Sequence, residues 1–254
     1  MLKRWVLAAG VATSFLTRLP VPAACHTPAP EDLRRAAAFF PLVGALVGAI
    51  TAGVVVLGAH FWPTWLAVIL ALAVEARLTG AFHEDAVGDA FDAFGGGFTR
   101  ERVLEILKDS RLGSYGVLAL VLALALRAGA TATLPEERLV PAIVCAAALG
   151  RWFGVVFLWR CPTIPERAAL SRDLGGVGAR EVAIGGLFAG GTLAWLGVHA
   201  PVAALCALVV GIAACAWASA YVRRRIGGVT GDAIGTLTYA VQVATLLAAS
   251  ARVP

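Results

Sequence analysis

Seven long apolar stretches constrain this chain more than any other feature of its sequence. A helix rises about 1.5 Å per residue, so about 20 apolar residues cross the roughly 30 Å hydrocarbon core of a bilayer. Hydrophobic residues make up 59% of the 254 residues and charged residues only 15%, which is not the composition of a soluble domain. Because lipid offers the backbone no hydrogen bonds, such stretches predict helices. The predicted spans are residues 39–59, 62–80, 115–133, 139–159, 181–199, 201–221 and 233–251.

The segment before the first span predicts one more helix, lying at the membrane surface or dipping into it. Lys3 and Arg4 precede a short apolar stretch, but the run from Thr17 to Pro20 interrupts it, and no convincing signal-peptide cleavage site follows. No linker or low-complexity segment divides the chain. We therefore predict an all-α, polytopic helical membrane protein. It is expected to be a single integral membrane domain over residues 1–254, with about seven transmembrane helices plus an N-terminal interfacial or re-entrant helix.

The basic residues predict how the chain is oriented, because cytosolic loops collect Lys and Arg. One side of the membrane receives only Arg138 and Arg252. The other receives Lys3, Arg4, Arg18, Arg34, Arg35, Arg100, Arg102, Lys108, Arg111, Arg160, Arg167, Arg172, Arg180, Arg223, Arg224 and Arg225. We therefore expect the N-terminus and the segments near 81–114, 160–180 and 222–232 to face the cytosol of a bacterial cytoplasmic (inner) membrane. This topology explains the net charge of +5 without a nucleic-acid partner.

Three arginines fall within or near the predicted spans. A charge inside a bilayer is costly, so each is a functional candidate. A long side chain near a span end can instead extend to the interface, which we expect for Arg77, whereas both interpretations stay open for Arg151. Arg127 lies in the middle of its predicted span, so we expect either a partner for its charge or a displaced span boundary.

The segment after the second span carries four carboxylates, Glu84, Asp85, Asp89 and Asp92, within nine residues. Asp85, Asp89 and Asp92 follow the spacing i, i+4, i+7, which places them on one face of a helix. Like charges at this spacing repel, so a cation should offset them. Magnesium ions prefer carboxylate and phosphate oxygens. The pattern therefore favours a magnesium-diphosphate site, and the alternative is a solvated acidic patch beside a membrane helix.

Two later clusters on the same predicted side could bind phosphate. Lys108 and Arg111 follow three consecutive glycines, and an arginine can contact phosphate oxygens with two donors. Basic residues beside a span can also be simple topological anchors. Asp232 precedes the last span, where it could cap the helix or contribute to a metal or phosphate site.

Several motifs resemble the cobalamin synthase family, also called adenosylcobinamide-GDP ribazoletransferases. They occur in the expected order between residues 15 and 235, although Ala86 and Ala93 stand where the family pattern has glycine. The matching segments are Phe15–Pro20, Phe40–Gly44, Leu78–Asp85 with Asp89 and Asp92, Lys108–Gly116 and Gly228–Gly235.

The resemblance implies a magnesium-dependent enzyme of the last steps of vitamin B12 biosynthesis. It would join adenosylcobinamide-GDP to α-ribazole or its 5′-phosphate and release GMP. A role for His83 as general base and a role as a hydrogen-bonded interfacial histidine both stay open. The implied catalytic residues are His83, Glu84, Asp85, Asp89 and Asp92, with the four carboxylates also as metal ligands. The implied substrate-binding residues are Arg18, Lys108, Asp109, Ser110, Arg111, Thr230 and Asp232.

Two other classes of protein place acidic residues in membrane helices. CDP-alcohol phosphotransferases and prenyl-diphosphate transferases bind metal-diphosphates with aspartate clusters, but the CDP-alcohol signature does not fit this sequence. Ion-coupled transporters usually place such residues near the bilayer midplane between repeated halves, and no convincing repeat occurs here. A homo-oligomer or a cobalamin-assembly complex, surrounded by membrane lipid, is compatible with the enzyme interpretation.

Overall fold

The computed structural model describes residues 2–164 and 176–252, and this part of the chain is helical, with one isolated backbone bridge between Thr163 and Val229. The all-α prediction is confirmed. Eleven α-helices lie in the described residues. They are α1 (Leu2–Leu16), α2 (Pro30–Ala36), α3 (Phe40–Gly58), α4 (Thr64–Thr79), α5 (Phe82–Gly96), α6 (Arg100–Ile106), α7 (Ser114–Ala132), α8 (Glu136–Arg160), α9 (Ala179–His199), α10 (Pro201–Ile226) and α11 (Gly231–Ser250).

Six of these helical segments are long and apolar enough to cross a membrane, and the number rises to seven if α4 and α5 are counted together as one broken span. The predicted multi-pass character is therefore confirmed. The predicted N-terminal helix is also present as α1, which has 15 residues and packs against α2 and α3.

The predicted span at 62–80 differs from the others because α4 has only 16 residues and meets α5 at an angle of 89°. Gly80 ends α4 with a φ of 75°, and Ala81 follows with a φ of 57°. Left-handed backbone at a non-glycine residue is uncommon and costs free energy. The surrounding bundle therefore holds this turn in place and sets the direction of α5.

The most deeply buried span is α8, which packs against α3, α9 and α11. Small residues let α3 approach it closely, as is common between membrane helices. A β-carbon added to Gly44 would lie 2.5 Å from the carbonyl oxygen of Ala147. At Gly48 it would lie 2.9 Å from the carbonyl oxygen of Ile143. These contacts leave no room for larger residues along this face of α3.

The loops rich in arginine meet at one end of the bundle, where α8 and α10 finish and α7 and α11 begin; we call it the basic end. The Arg100 side chain donates to the carbonyl oxygen of Ile226 at 3.1 Å, and Arg225 donates to the carbonyl of Gly97. The amide of Val229 donates to the carbonyl of Pro162 at 2.8 Å. The segments near 81–114, 160–164 and 222–232 are therefore joined there. Residues 165–175 of the predicted 160–180 segment, including Arg167 and Arg172, lie outside the described residues.

Candidate active site

The acidic helix α5 begins inside the bundle and carries all the predicted catalytic residues. Successive residues of a helix are rotated by about 100°, so Asp85, Asp89 and Asp92 share one face. Their exposure nevertheless differs, since Asp85 is exposed, Asp89 is half-buried and Asp92 is buried. The predicted common face is present, but the three carboxylates lie in different surroundings.

Asp92 holds the start of α7. Its two carboxylate oxygens accept hydrogen bonds from the backbone amides of Gly113 at 2.6 Å and Gly116 at 2.8 Å. A carboxylate at these amides satisfies donors that the helix leaves open and is favoured by the helix dipole. This contact ties the loop of residues 108–113 to α5, so Asp92 acts here as a positioning residue.

Glu84 belongs to a buried ion network within the bundle. Its carboxylate lies 3.4 Å from the guanidinium of Arg127, which lies 2.6 Å from the carboxylate of Glu75. The hydroxyl of Thr51 donates to Glu75 at 2.7 Å. The predicted partner of Arg127 is therefore real, and its position in the middle of α7 is confirmed. We did not predict Glu75 from the sequence, although a search for opposite charges among the spans would have found it.

A second intramembrane arginine has a polar partner rather than an interfacial position. Arg151 is buried, and one of its terminal nitrogens donates to the side-chain oxygen of Gln242 at 2.9 Å and to the carbonyl of Ala147 at 3.2 Å. Arg151 therefore does not extend from a span end towards the interface.

The carboxylates of α5 do not form the predicted four-ligand metal site. Within the described residues, no group of three or more His, Cys, Asp or Glu side chains is close enough to hold a metal ion. Glu84 is paired with Arg127, and Asp92 binds two backbone amides. Magnesium usually takes one or two protein carboxylates and completes its shell with water and substrate phosphate. Asp85 and Asp89 lie one helical turn apart on the same face of α5, and their role as metal ligands stays a prediction.

His83 points away from the acidic face of α5, because residues two positions apart in a helix project about 200° from each other. It is buried and lines a cavity between α5, α8 and α11. Its ring lies edge-on to Phe82, with centroids 5.3 Å apart. The ring is buried rather than hydrogen-bonded at an interface, and its role as general base stays a prediction.

The loop between α6 and α7 presents Lys108, Ser110 and Arg111 to solvent at the basic end. The Arg111 guanidinium contacts the carboxylate of Asp109 at 2.6 Å. These hydrogen bonds lower the pKa of Asp109 to about 2, so the carboxylate is ionised at neutral pH. Asp109 thus orients Arg111 rather than offering its own oxygens to an anionic substrate.

The remaining predicted substrate-binding residues differ in how far they are buried. Thr230 is fully buried, and its hydroxyl accepts a hydrogen bond from the amide of Ala233 at 3.2 Å. It is therefore the cap of α11, which is a structural role. Asp232 is half-buried in the first turn of the same helix. Arg18 is exposed and covers Gly80, at the turn where α5 begins.

Comparison with the sequences of known proteins identifies the family to which the chain belongs. A family described as cobalamin-5-phosphate synthase matches residues 8–250 of the chain. The chain belongs to the cobalamin-5-phosphate synthase family. The match includes α5, the 108–113 loop and the start of α11, so the family resemblance seen in the motifs is confirmed.

Curated relatives of this synthase are similar over nearly their whole length. Three are named adenosylcobinamide-GDP ribazoletransferase: those of Leptothrix cholodnii (39% identical), Azorhizobium caulinodans (38%) and Bradyrhizobium diazoefficiens (40%). The alignments cover 93%, 94% and 95% of this chain and 92%, 93% and 92% of the respective relatives. No solved structure matches the chain.

Proposed function

We propose that this chain is a membrane-bound adenosylcobinamide-GDP ribazoletransferase. It joins adenosylcobinamide-GDP to α-ribazole, or to α-ribazole 5′-phosphate, and releases GMP. The single observation that carries the proposal is family membership over residues 8–250, and the relatives' shared name supplies the reaction. An acidic helix beside a basic loop is the chemistry that a diphosphate substrate requires.

In this reaction a ribose hydroxyl of ribazole attacks the phosphorus atom that is bonded to the cobinamide side. A new phosphate ester bond forms, the bond between the two phosphorus groups of the diphosphate breaks, and GMP leaves with the bridging oxygen. The hydroxyl proton is released. Catalysis of such a transfer rests mainly on positioning and on neutralising charge.

Lys108 and Arg111 are suited to hold the phosphate oxygens, because both are exposed cations on one short loop. Asp92 keeps that loop beside α5 through its two amide hydrogen bonds. Asp85 and Asp89 would hold the magnesium ion. When bound, the ion supplies positive charge against the diphosphate and the leaving GMP.

We also propose that the basic end faces the cytosol of a bacterial inner membrane. Support comes from the arginines of α6, α10 and the 108–113 loop, which gather there as the positive-inside rule requires. A Ser110→Cys variant tests it, because Ser110 is exposed at that end. With Cys206, an exposed free cysteine, replaced by serine in the same protein, a membrane-impermeant maleimide should label the variant in inside-out vesicles and not in intact spheroplasts. The opposite pattern would reverse the orientation.

The activity test measures GMP and corrinoid product from adenosylcobinamide-GDP plus α-ribazole, with purified protein in liposomes, with and without magnesium. We expect magnesium-dependent product that Asp85→Asn and Asp89→Asn abolish. Glu101→Gln is the matched control, since Glu101 is an exposed acid on α6 at the same end. No product from folded wild-type protein would overturn the proposed reaction. Product that does not depend on magnesium would overturn the metal role alone.

A further inference from the structure

A cavity opens at the basic end between α1, α3, α5, α8 and α11. We call it the His83 cavity. Phenylalanines from three helices, a histidine, an arginine and two glycines of α11 are among the residues that line it. These residues are Phe15, Phe40, Phe82, His83, Arg151, Gly231 and Gly235.

The cavity extends along the bundle axis by about two helical turns. On α11 it runs from Gly231 to Thr238, and on α8 from Leu158 to Arg151. Each stretch covers seven residue steps, or about 10 Å at 1.5 Å per residue. Gly231 is the first residue of α11, so the mouth lies at the basic end, while Arg151, which binds Gln242, lies at the inner end. The first turn of α5, with His83, lies level with Gly235, because a β-carbon added to Gly235 would be 3.9 Å from the carbonyl oxygen of Phe82.

His83 is the observation that points to a ligand. Its side chain is only 5% exposed. Within residues 2–164 and 176–252 no hydrogen bond joins its ring nitrogens to another residue, and they are not among the fully buried unpaired atoms, so they face the cavity that the ring lines. Buried polar groups are nearly always paired, and an unpaired one costs free energy. Arg151, which is 4% exposed, also lines this cavity. A bound group with a hydrogen-bonding atom would satisfy the histidine.

We propose that the His83 cavity receives the aromatic base of the ribazole substrate; this inference rests on the proposed function. The base is a flat, mainly apolar benzimidazole with one unsubstituted ring nitrogen, which accepts a hydrogen bond. Phe15, Phe40 and Phe82 offer aromatic contacts to such a ring. An N–H of the His83 ring that points into the cavity donates to its nitrogen.

The lining favours the base over the phosphate-bearing parts of either substrate. Apart from His83, Arg151 and Thr238, the wall consists of apolar side chains and glycine, whereas diphosphate oxygens need several donors. With the base inside, the ribose lies at the mouth, beside Gly231 and the first turn of α5. This is the end of the bundle at which Asp85 and the 108–113 loop lie.

The cavity is narrow without a ligand. Its free volume is about 40 Å³, which is room for a few water molecules. Phe15 and Phe82 are both half-buried, so these two rings must turn aside when a bicyclic base enters. Binding of ribazole is therefore coupled to a change in side-chain conformation at the mouth.

The test compares two α-ribosides that differ in one atom: the benzimidazole riboside and the indole riboside, in which a C–H replaces the accepting nitrogen. We expect the wild type to prefer the benzimidazole riboside in kcat/KM by about 10- to 100-fold, as one buried hydrogen bond implies. His83→Phe keeps a ring and removes the donor, so it should abolish this preference and leave the KM for adenosylcobinamide-GDP unchanged. His83→Gln restores a donor and should recover part of the preference.

Other outcomes separate the two proposals. A wild type that makes product but uses both ribosides equally well, or a His83→Phe enzyme that keeps the preference, overturns the cavity assignment and leaves the reaction standing. If wild-type protein makes no product, equilibrium dialysis with radiolabelled benzimidazole tests the cavity alone. Binding that His83→Phe removes supports it, and no binding to the wild type refutes it. Should His83→Phe fail to fold, the same comparisons are made with His83→Gln against Phe82→Ala, which keeps the donor and should keep the preference.

Discussion

Arg127→Met should destabilise the protein strongly, because it leaves buried Glu75 and half-buried Glu84 without their cation. The guanidinium contacts Glu75 at 2.6 Å and Glu84 at 3.4 Å and lies 5.4 Å from the ring centre of Tyr239. Methionine has a similar length and fills much of the same space, so the change isolates the charge. Breaking a buried ion pair by removing one partner costs about 3–5 kcal/mol.

The assay is thermal unfolding of the purified protein in detergent. For a chain of this size, 1 kcal/mol shifts Tm by about 2–4 °C, so we expect a decrease of about 6–20 °C. Arg102→Met is the matched control, because Arg102 also makes a short ion pair, 2.8 Å to Glu105, on the exposed surface of α6. Exposed ion pairs contribute little to stability, so the Tm of Arg102→Met should stay close to that of the wild type.

A double variant distinguishes a lost ion pair from a general packing defect. Adding Glu75→Met to Arg127→Met removes the orphaned carboxylate, so the double variant should be more stable than the sum of the two single losses predicts. Two results would show that the network does not stabilise the bundle. One is a Tm of Arg127→Met within 2 °C of that of Arg102→Met. The other is a loss of unfolding free energy in the double variant that equals the sum of the two single losses to within about 0.5 kcal/mol.

Three further changes probe other parts of the structure. Gly44→Ala should lower the free energy of unfolding by about 1–3 kcal/mol, because the added methyl group overpacks the α3–α8 contact. Gly53→Ala on the same helix should leave the stability unchanged, since an added β-carbon there has no atom within 4 Å. Equal Tm values for the two variants would contradict the close α3–α8 packing. Asp92→Asn retains only one accepting oxygen for two amides, so kcat/KM should fall about 10-fold without loss of helix content by circular dichroism. The pKa of Asp109 is about 2 against an ordinary 3.8, so its contact with Arg111 is complete at neutral pH and is lost only as pH falls towards 2. Asp109→Asn should therefore not move the pH–rate profile between about pH 5 and 8, and a shifted acid limb would show that Asp109 titrates in the working range.

The sequence alone determined the class of protein and the positions of its helices. Span length and hydrophobicity are local properties, so the predicted spans agree closely with α3, α4 and α7–α11. The unequal distribution of arginines likewise predicted that three loop segments would share one end. The motifs identified the family without any knowledge of packing.

Tertiary structure alone decided the surroundings of each residue of the acidic helix. The i, i+4, i+7 pattern is the same for every carboxylate that follows it, but packing buries Asp92 against α7 and leaves Asp85 exposed. Glu84 acquires a partner 43 residues away, and His83 enters a cavity formed by five helices. These roles depend on how helices distant in sequence pack against each other, because a side chain's surroundings are set by its neighbours in space. The spacing of residues along a single helix contains no information about those neighbours.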